Sequence, residues 1–408
     1  MAFTYLTAGE SHGPQLTGII EGIPAGLTLD VDQINAALAD RQRGYGRGNR
    51  QKIEHDQVEI LGGVRHGVTL GSPITLVIHN RDHAHWSAIM DPTAPATPEN
   101  TTRKVTRPRP GHADLVGGLK YRHADMRNVL ERSSARETAM RVAIGNVCEQ
   151  LLAALDIQIV GYVRQIGPVP AEKPLTSVAE IKQVTAANDL RITDPAKVAE
   201  IHQLIDDTRR AGDTLGGLIK VIAENVPAGL GSYVSWDTKL DAKIAGAVMG
   251  INAMKGVAIG DGFEAATRPG SQVMDPIAFD QDEGYHRLSD HLGGFEGGMT
   301  NGMPLVVNAA MKPIPTLYKA LQTVDVQTKE VMKANVERSD TTAIVPAALV
   351  VENVVAIELA KAILEAFEGD NLARLQDQVK AWRTEMNQWS CILLAQRQLT
   401  VLTPRRRI

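Results

Sequence analysis

The sequence predicts an α+β protein, with helices layered on antiparallel sheets rather than a doubly wound parallel sheet. Short apolar segments flank glycine-rich turns, which is the pattern of antiparallel hairpins. Long segments carry apolar residues at helical spacing. A strand, a Pro-Ala-Gly-Leu turn and a helix occur twice, at 19–27 and again at 223–230, and point to two related halves.

The elements follow in order. Residues 16–22 form a short apolar strand. Val31, Ile34 and Leu38 share one face of a helix over 31–43, with Asp30 as its N-cap. Strands at 57–61 and 72–79 bracket the glycine-rich stretch 62–71 as a hairpin. Met140, Ala143, Val147 and Leu151 mark a long helix over 134–155, and 239–249 and 346–367 behave similarly. Strands are expected at 218–224 and 305–311. The helix at 197–210 is more polar and suits a surface, and the polar stretch 176–212 reads as an insertion between the halves. No low-complexity linker separates autonomous domains. Residues 368–408 form an extension of no assignable role.

Composition narrows the function. Of 408 residues, 43 are Lys or Arg and 47 are Asp or Glu, a net charge of −4. That argues against a generally basic nucleic-acid coat. Aromatics at 4% are too scarce for base-stacking platforms. Cys148 and Cys391, the two cysteines, rule out a disulfide framework and a cysteine-rich zinc module. The first residues show no signal peptide. The apolar stretch 343–351 contains Pro346 and stops at Glu352, about half a membrane span. The cytoplasm is the expected compartment, with neither membrane nor nucleic acid as a partner. His79, His83 and His85 with Asp82 resemble a metal cluster, but no metal-ligand spacing supports it and no metal is expected.

Five segments can carry chemistry. His12 lies between small residues in Gly9-Glu10-Ser11-His12-Gly13, where it can act as a general acid or base or serve as a structural turn histidine. Arg41, Arg43, Arg47 and Arg50 alternate with glycines, so guanidinium forks can close on phosphate or carboxylate. A solvated basic loop is the plainer reading. Prolines 108 and 110 stiffen the segment that presents Arg109 and His112. Ser134 and Glu137 have the spacing of a capping box, and Arg132 and Arg136 flank the helix start, a natural seat for an anion. Lys312-Pro313-Ile314-Pro315-Thr316 can wrap a ligand, and Glu337-Arg338-Ser339-Asp340 offers a cation and a base.

These segments together resemble the chorismate synthase family over residues 3–367, through Gly-Glu-Ser-His-Gly at 9–13, Glu-Arg-Ser-Ser-Ala-Arg-Glu-Thr at 131–138 and Arg-Ser-Asp at 338–340. Gly-Tyr-Gly-Arg-Gly at 44–48, Arg-Pro-Gly-His-Ala-Asp at 109–114 and Gly-Gly-Phe-Glu-Gly-Gly-Met-Thr-Asn-Gly at 293–302 add to the match. The resemblance implies one catalytic domain over residues 1–367, a β-α-β sandwich with core helices between two antiparallel sheets, assembled as a homotetramer. It implies a lyase of the shikimate pathway and aromatic amino acid biosynthesis. Its reaction eliminates phosphate from 5-enolpyruvylshikimate 3-phosphate, requires reduced FMN and has no net redox change. A separate flavin reductase, or NADPH, would supply the reduced flavin. By the same resemblance His12, His112 and Asp340 are catalytic: His12 protonates the reduced flavin, His112 is a second proton donor near substrate, and Asp340 assists removal of the ring proton through the flavin. Ser11, Arg41, Arg47, Arg50, Arg109, Arg136 and Arg338 bind substrate. Arg132, Ser133, Ser134, Asn252, Ala253, Gly297, Lys312 to Thr316 (with Pro313, Ile314 and Pro315 between) and Arg338 contact FMN. Arg43 replaces a frequent Gly and is expected to add charge at the entrance. Thr341 follows Asp340 where Pro is common. Two other readings are an RNA-binding protein using the arginine loops and a flavin oxidoreductase on an anionic metabolite, which would consume reductant.

Overall fold

The computed structural model describes residues 3–48, 53–281, 284–337 and 339–387. Strand Gln15–Glu21 leads through the first Pro-Ala-Gly-Leu turn to helix Val31–Gln42, which Asp30 caps by accepting the Asp32 and Gln33 N–H groups. Strand Gly217–Glu224 leads through the second such turn to helix Leu240–Met249. The two turns are held by the same bonds. The Thr69 hydroxyl donates to the Pro24 carbonyl at 2.6 Å and accepts the Leu27 N–H at 2.9 Å. The Thr300 hydroxyl donates to the Pro227 carbonyl at 2.6 Å and accepts the Leu230 N–H at 2.9 Å.

Each unit contributes to one antiparallel sheet. Thr4–Ala8, Gln15–Glu21, Ile74–His79 and Val58–Gly62 lie in that spatial order. Met254–Ile259, Leu305–Met311, Gly217–Glu224, Gln158–Ile166 and the short Val169–Pro170 form the other. The expected strands at 16–22, 57–61, 72–79, 218–224 and 305–311 all appear within two residues of those bounds. Thr4–Ala8, Gln158–Ile166 and Met254–Ile259 were not expected.

Helices Thr138–Ala153 and Ile344–Ala366 pack on each other; the first also touches the four-stranded sheet and the second the five-stranded one. Small residues allow close approach: a Cβ on Gly145 would lie 2.4 Å from Asn353 Cβ between the two helices, and one on Gly161, in strand Gln158–Ile166, would lie 2.6 Å from the Ala348 carbonyl. Helix 344–366 is apolar all round and buried along nearly its whole length, as a central core helix must be. Among the described residues no helix is long and apolar enough to cross a membrane.

Two further segments correct or extend the expectations. Helices Val178–Ala186 and Val198–Arg210 lie between neighbouring strands of the five-stranded sheet. Part of the C-terminal extension is structured: helix Leu372–Asn387 buries Leu375 and Val379. The Ala25 N–H donates to the Asp370 carbonyl at 3.0 Å and the Trp382 indole donates to the Ala228 carbonyl at 2.8 Å, so one segment touches both repeated turns.

Candidate active site

The two long helices both begin at one cavity of about 470 Å³. Its wall takes Ser133, Ser134, Arg136 and Thr138 from one start and Ser339, Asp340, Ala343 and Pro346 from the other. Helix starts carry free N–H groups and the positive end of the dipole. Six cations line it: Arg41, Arg47, Arg109, Arg136, Lys255 and Lys312. Glu54 and Asp340 are the carboxylates on the same wall. A second cavity of about 600 Å³, lined by Ser11, His12, Asp82 and Trp86, shares Arg109, Leu130, Ser134 and Thr316 with the first. Ser11 and His12 therefore face an adjoining chamber.

The arginines are fixed by buried partners. Arg41 donates from Nε to Thr138 Oγ1 at 3.1 Å and from Nη2 to the Ala135 carbonyl at 2.7 Å. Arg136 donates to Asn80 at 2.8 Å and Asp56 at 2.7 Å, and is only 7% exposed. Its Nη2, with Arg47 Nε and Ser133 Oγ, is buried without a hydrogen-bond partner. Arg47 pairs with Asp340 Oδ2 at 2.8 Å while the Gly48 N–H donates to Oδ1 at 2.5 Å. Burial lowers the Arg47 guanidinium, and the charge of Asp340 opposes that shift. The loop carrying them is braced from outside: Tyr45 donates to Asp206 at 2.8 Å and stacks on His202. The polar helix 198–210 thus positions an active-site arginine. Thr341, where Pro is common, donates its N–H to the Gly46 carbonyl at 2.9 Å, a bond proline lacks.

Each histidine is held by a buried carboxylate. His12 Nδ1 lies 2.8 Å from Glu131 Oε1, and the His12 N–H donates to Oε2 at 2.8 Å. Burial works to raise the Glu131 carboxyl. The His12 hydrogen bonds and the charge of Arg127 outweigh it and hold the group below the ordinary carboxylate range. The His12 ring stacks on Trp86 at 3.8 Å. His112 Nδ1 lies 2.6 Å from Asp114 Oδ1, and Arg109 Nε donates to Oδ2 at 2.8 Å. Burial again opposes ionisation of Asp114, but the bonds from His112 and Arg109 hold it well below the usual range. The carboxylate at Nδ1 leaves Nε2 of His12 as the nitrogen for proton exchange, while Nε2 of His112 lies 3.3 Å from Arg109 Nη2.

Asn252, Ala253, Ile314, Pro315 and Thr316 complete the expected lining. Ala253 adopts φ 69°, the left-handed region that non-glycine residues rarely take, at the cavity wall. Burial and the charge of Lys255 lower the Lys312 ammonium.

Several residues take partners that the sequence does not predict, or lie off this wall. Ser134 accepts the Arg136 N–H, but Glu137 does not return the bond; it takes Thr7 and Arg141 instead, so no capping box forms and a 3₁₀ turn precedes the α-helix. Arg132 donates to the Gly9 and Thr7 carbonyls and is not on the cavity wall. Gly297, in the hairpin turn after Phe295–Glu296, and Pro313 are also off it. Arg43 pairs with Asp40 on the exposed side and adds no charge to the cavity. His79 and His83 turn to Glu59 and to the His12 carbonyl. Arg50 and Arg338 lie outside the described residues. The sequence reading missed Lys255, Glu54, Asp56 and Trp86, and gave Asp114 and Glu131 no role although both stand inside segments it singled out.

The comparisons agree with this architecture. The family model described as chorismate synthase matches residues 3–364. A chorismate synthase of Limosilactobacillus fermentum is 74% identical over 385 residues, covering 94% of this chain and 99% of the relative. One of Lactiplantibacillus plantarum is 70% identical over 386 residues, covering 94% and 99%. A crystal structure of a chorismate synthase, 41% identical, aligns with a TM-score of 0.76 over 95% of this chain and 99% of that one. Matched over nearly its full length in sequence and in fold, the chain belongs to the chorismate synthase family.

Proposed function

We propose that this enzyme eliminates phosphate from 5-enolpyruvylshikimate 3-phosphate in the anti-1,4 sense to give chorismate, with reduced FMN required and not consumed. The observation that carries the reading is the cavity at two helix starts, with six cations against two carboxylates on its wall. The substrate brings a phosphate and two carboxylates, and guanidinium forks and helix N-termini both favour such groups.

The residues suit the flavin. Among the described residues, three buried polar atoms, Arg47 Nε, Arg136 Nη2 and Ser133 Oγ, have no hydrogen-bond partner, although Arg136 Nη2 lies 3.9 Å from Glu54, and their residues line the cavity. Ser133, Ser134, Asn252, Ala253, Lys312 and Thr316 would hold FMN. Reduced FMN, when bound, supplies electron density to the breaking carbon–oxygen bond and recovers it. The chain's own residues orient and place protons. Arg41, Arg47, Arg109 and Arg136 fix the anionic groups. Glu131 and Asp114 set the ring orientation of His12 and His112, so His12 can hold or release a proton at Nε2 and His112 can act as a second donor. Arg47 and the Gly48 N–H fix Asp340 beside the cavity, where it can accept the ring proton.

The same reading takes the fold as a β-α-β sandwich of two related halves, residues 1–367 as one catalytic domain, and the enzyme as a cytoplasmic homotetramer fed with reduced flavin by NADPH or a reductase. Exposed apolar side chains such as Trp236 and Phe263, each 81% exposed, support burial against other copies. The functional test is phosphate release from 5-enolpyruvylshikimate 3-phosphate under anaerobic conditions. Release should require reduced FMN and leave it reduced at the end. Equal rates with oxidised FMN, or stoichiometric oxidation of the flavin, would overturn the reading.

A further inference from the structure

His12 is 7% exposed, yet a group that gives up a proton in each cycle must recover one from solvent. The surrounding groups define the route. On the Nδ1 side stands Glu131, backed by Arg127 at 3.6 Å. One face of the ring is closed by Trp86, whose ring is in turn covered by Arg103 at 3.9 Å. His83 holds the His12 backbone carbonyl at 2.9 Å and does not meet its ring nitrogens. The remaining nitrogen, Nε2, is 3.9 Å from Asp82 Oδ2. Asp82 is buried, and its other oxygen, Oδ1, is 3.6 Å from His85 Nδ1. The His85 side chain is 73% exposed.

We propose that His85, Asp82 and His12, which line one chamber, form a proton relay that carries protons from solvent to the buried His12 ring. The inference rests on the reading of His12 as a proton carrier and extends it to two residues that otherwise look like remnants of a metal cluster. Neither gap is a hydrogen bond as it stands. The exposed His85 ring can turn toward Asp82, and catalytic contacts often tighten only when ligands are bound. The hops balance. Solvent protonates His85 at Nε2, and the Nδ1 proton passes to Asp82 Oδ1. A turn of the carboxyl exchanges its oxygens, and the proton passes to the vacant Nε2 of His12. One N–H or O–H bond breaks for each that forms, and no electron moves. Glu54 fixes the start of the segment by accepting the Asp82 and Arg81 N–H groups, so Asp82 does not swing freely.

The test uses the full chain with its substrate and reduced FMN. His85→Ala should lower turnover by roughly tenfold to 10²-fold, at or below the low end for general acid–base groups. The remaining rate should become dependent on buffer concentration, and free imidazole should restore it. Asp82→Asn should lower turnover similarly without imidazole rescue, because the missing link is buried. Wild-type turnover in His85→Ala overturns the relay, as does a loss that imidazole does not repair. His12→Ala separates the two claims: if it is inactive while His85→Ala is normal, only the relay fails, and if it is fully active the proton-carrier role itself fails.

Discussion

Asp114→Asn tests how the second histidine is held. The carboxylate is fully buried and accepts from His112 Nδ1 at 2.6 Å, from Arg109 Nε at 2.8 Å, and from the Arg109 backbone N–H at 3.1 Å. An asparagine keeps the shape and one acceptor but presents an NH₂ to donors on the other side. Arg109 would retain Thr316, at 2.8 Å, and lose its counter-charge. Removing one partner of a buried ion pair costs about 3–5 kcal/mol. At roughly 2 °C per kcal/mol for a large domain, the melting temperature should fall by about 6–10 °C. Turnover should fall by roughly 10²-fold or more, because His112 loses the group that orients its ring. The pH dependence has a definite sign. The folded carboxyl is held below its unfolded value, so its stabilisation is complete above about pH 4 and is lost as pH falls further. The gap in melting temperature between wild type and variant should therefore stay constant from pH 7 to about 4 and narrow below that. Thermal melts across this range, with steady-state rates at neutral pH, decide it. An unchanged melting temperature together with unchanged turnover would refute the argument that Asp114 organises this corner.

Three further outcomes follow from the same geometry. His12→Ala and His112→Ala should each reduce turnover by roughly 10²–10⁴-fold while FMN binding, followed by flavin fluorescence, persists. Arg136→Ala should weaken substrate binding and also lower the melting temperature, because Asp56 is buried and would lose its 2.7 Å partner; Arg136→Lys should recover only part of either, as an ammonium cannot copy the fork. Glu149→Gln should stabilise the fold in neutral and mildly basic solution: burial, then the charge of Glu352, pushes the Glu149 carboxyl up to about 8, so the wild type loses stability as pH rises from the ordinary carboxylate range to about 8, and melts at several pH values should show the variant's advantage growing over that interval.

Much of the fold was legible because glycine and proline punctuate it. Helices 31–42 and 240–249 and strands 305–311 and 217–224 follow from periodicity and turns alone. Strand Gln158–Ile166 escaped because an apolar run directly after a helix lacks a period that tells strand from helix. The repeat was visible only in part. Beyond the four-residue turn, Leu-Gly-Gly recurs at 61–63 and 292–294, Thr69 matches Thr300, Gly71 matches Gly302 and Pro73 matches Pro304. Thr69 and Thr300 hold the two turns, and because these matches stand at an offset of 231 while the turns stand at 203, a comparison confined to one offset misses them. The site was legible as a set of cations and histidines, since arginine-rich and proline-stiffened segments stand out. Their carboxylate partners did not. Glu131 meets His12 across 119 positions, and Asp56 meets Arg136 across 80, distances that no local pattern encodes. Glu137 shows the reverse failure: its spacing from Ser134 predicts a capping box, but Thr7 and Arg141 compete successfully for the carboxylate.

The packing of the long helices also explains where the chemistry lies. Neither helix can bury its apolar surface alone, and packing the two together completes the core. Their N-terminal starts, Ser133–Thr138 and Ser339–Ala347, then line a single cavity, so two positive dipole ends converge on one space. Neither half holds the Asp340 cluster by itself. Arg47 and Gly48 follow the first repeat's helix, Asp340 precedes the second long helix, and the helix 198–210 between strands of the second sheet secures the loop through Tyr45. Cations gathered this way repel one another, and the acids beneath them, Asp56 under Arg41 and Arg136, Asp114 under Arg109 and Asp340 beside Arg47, offset that repulsion while leaving donors aimed at the cavity. On the proposed reading, in which the ligand is a multiply charged anion, fixed cations matter more than many of them, because a guanidinium already locked by a buried carboxylate loses little freedom when the ligand arrives.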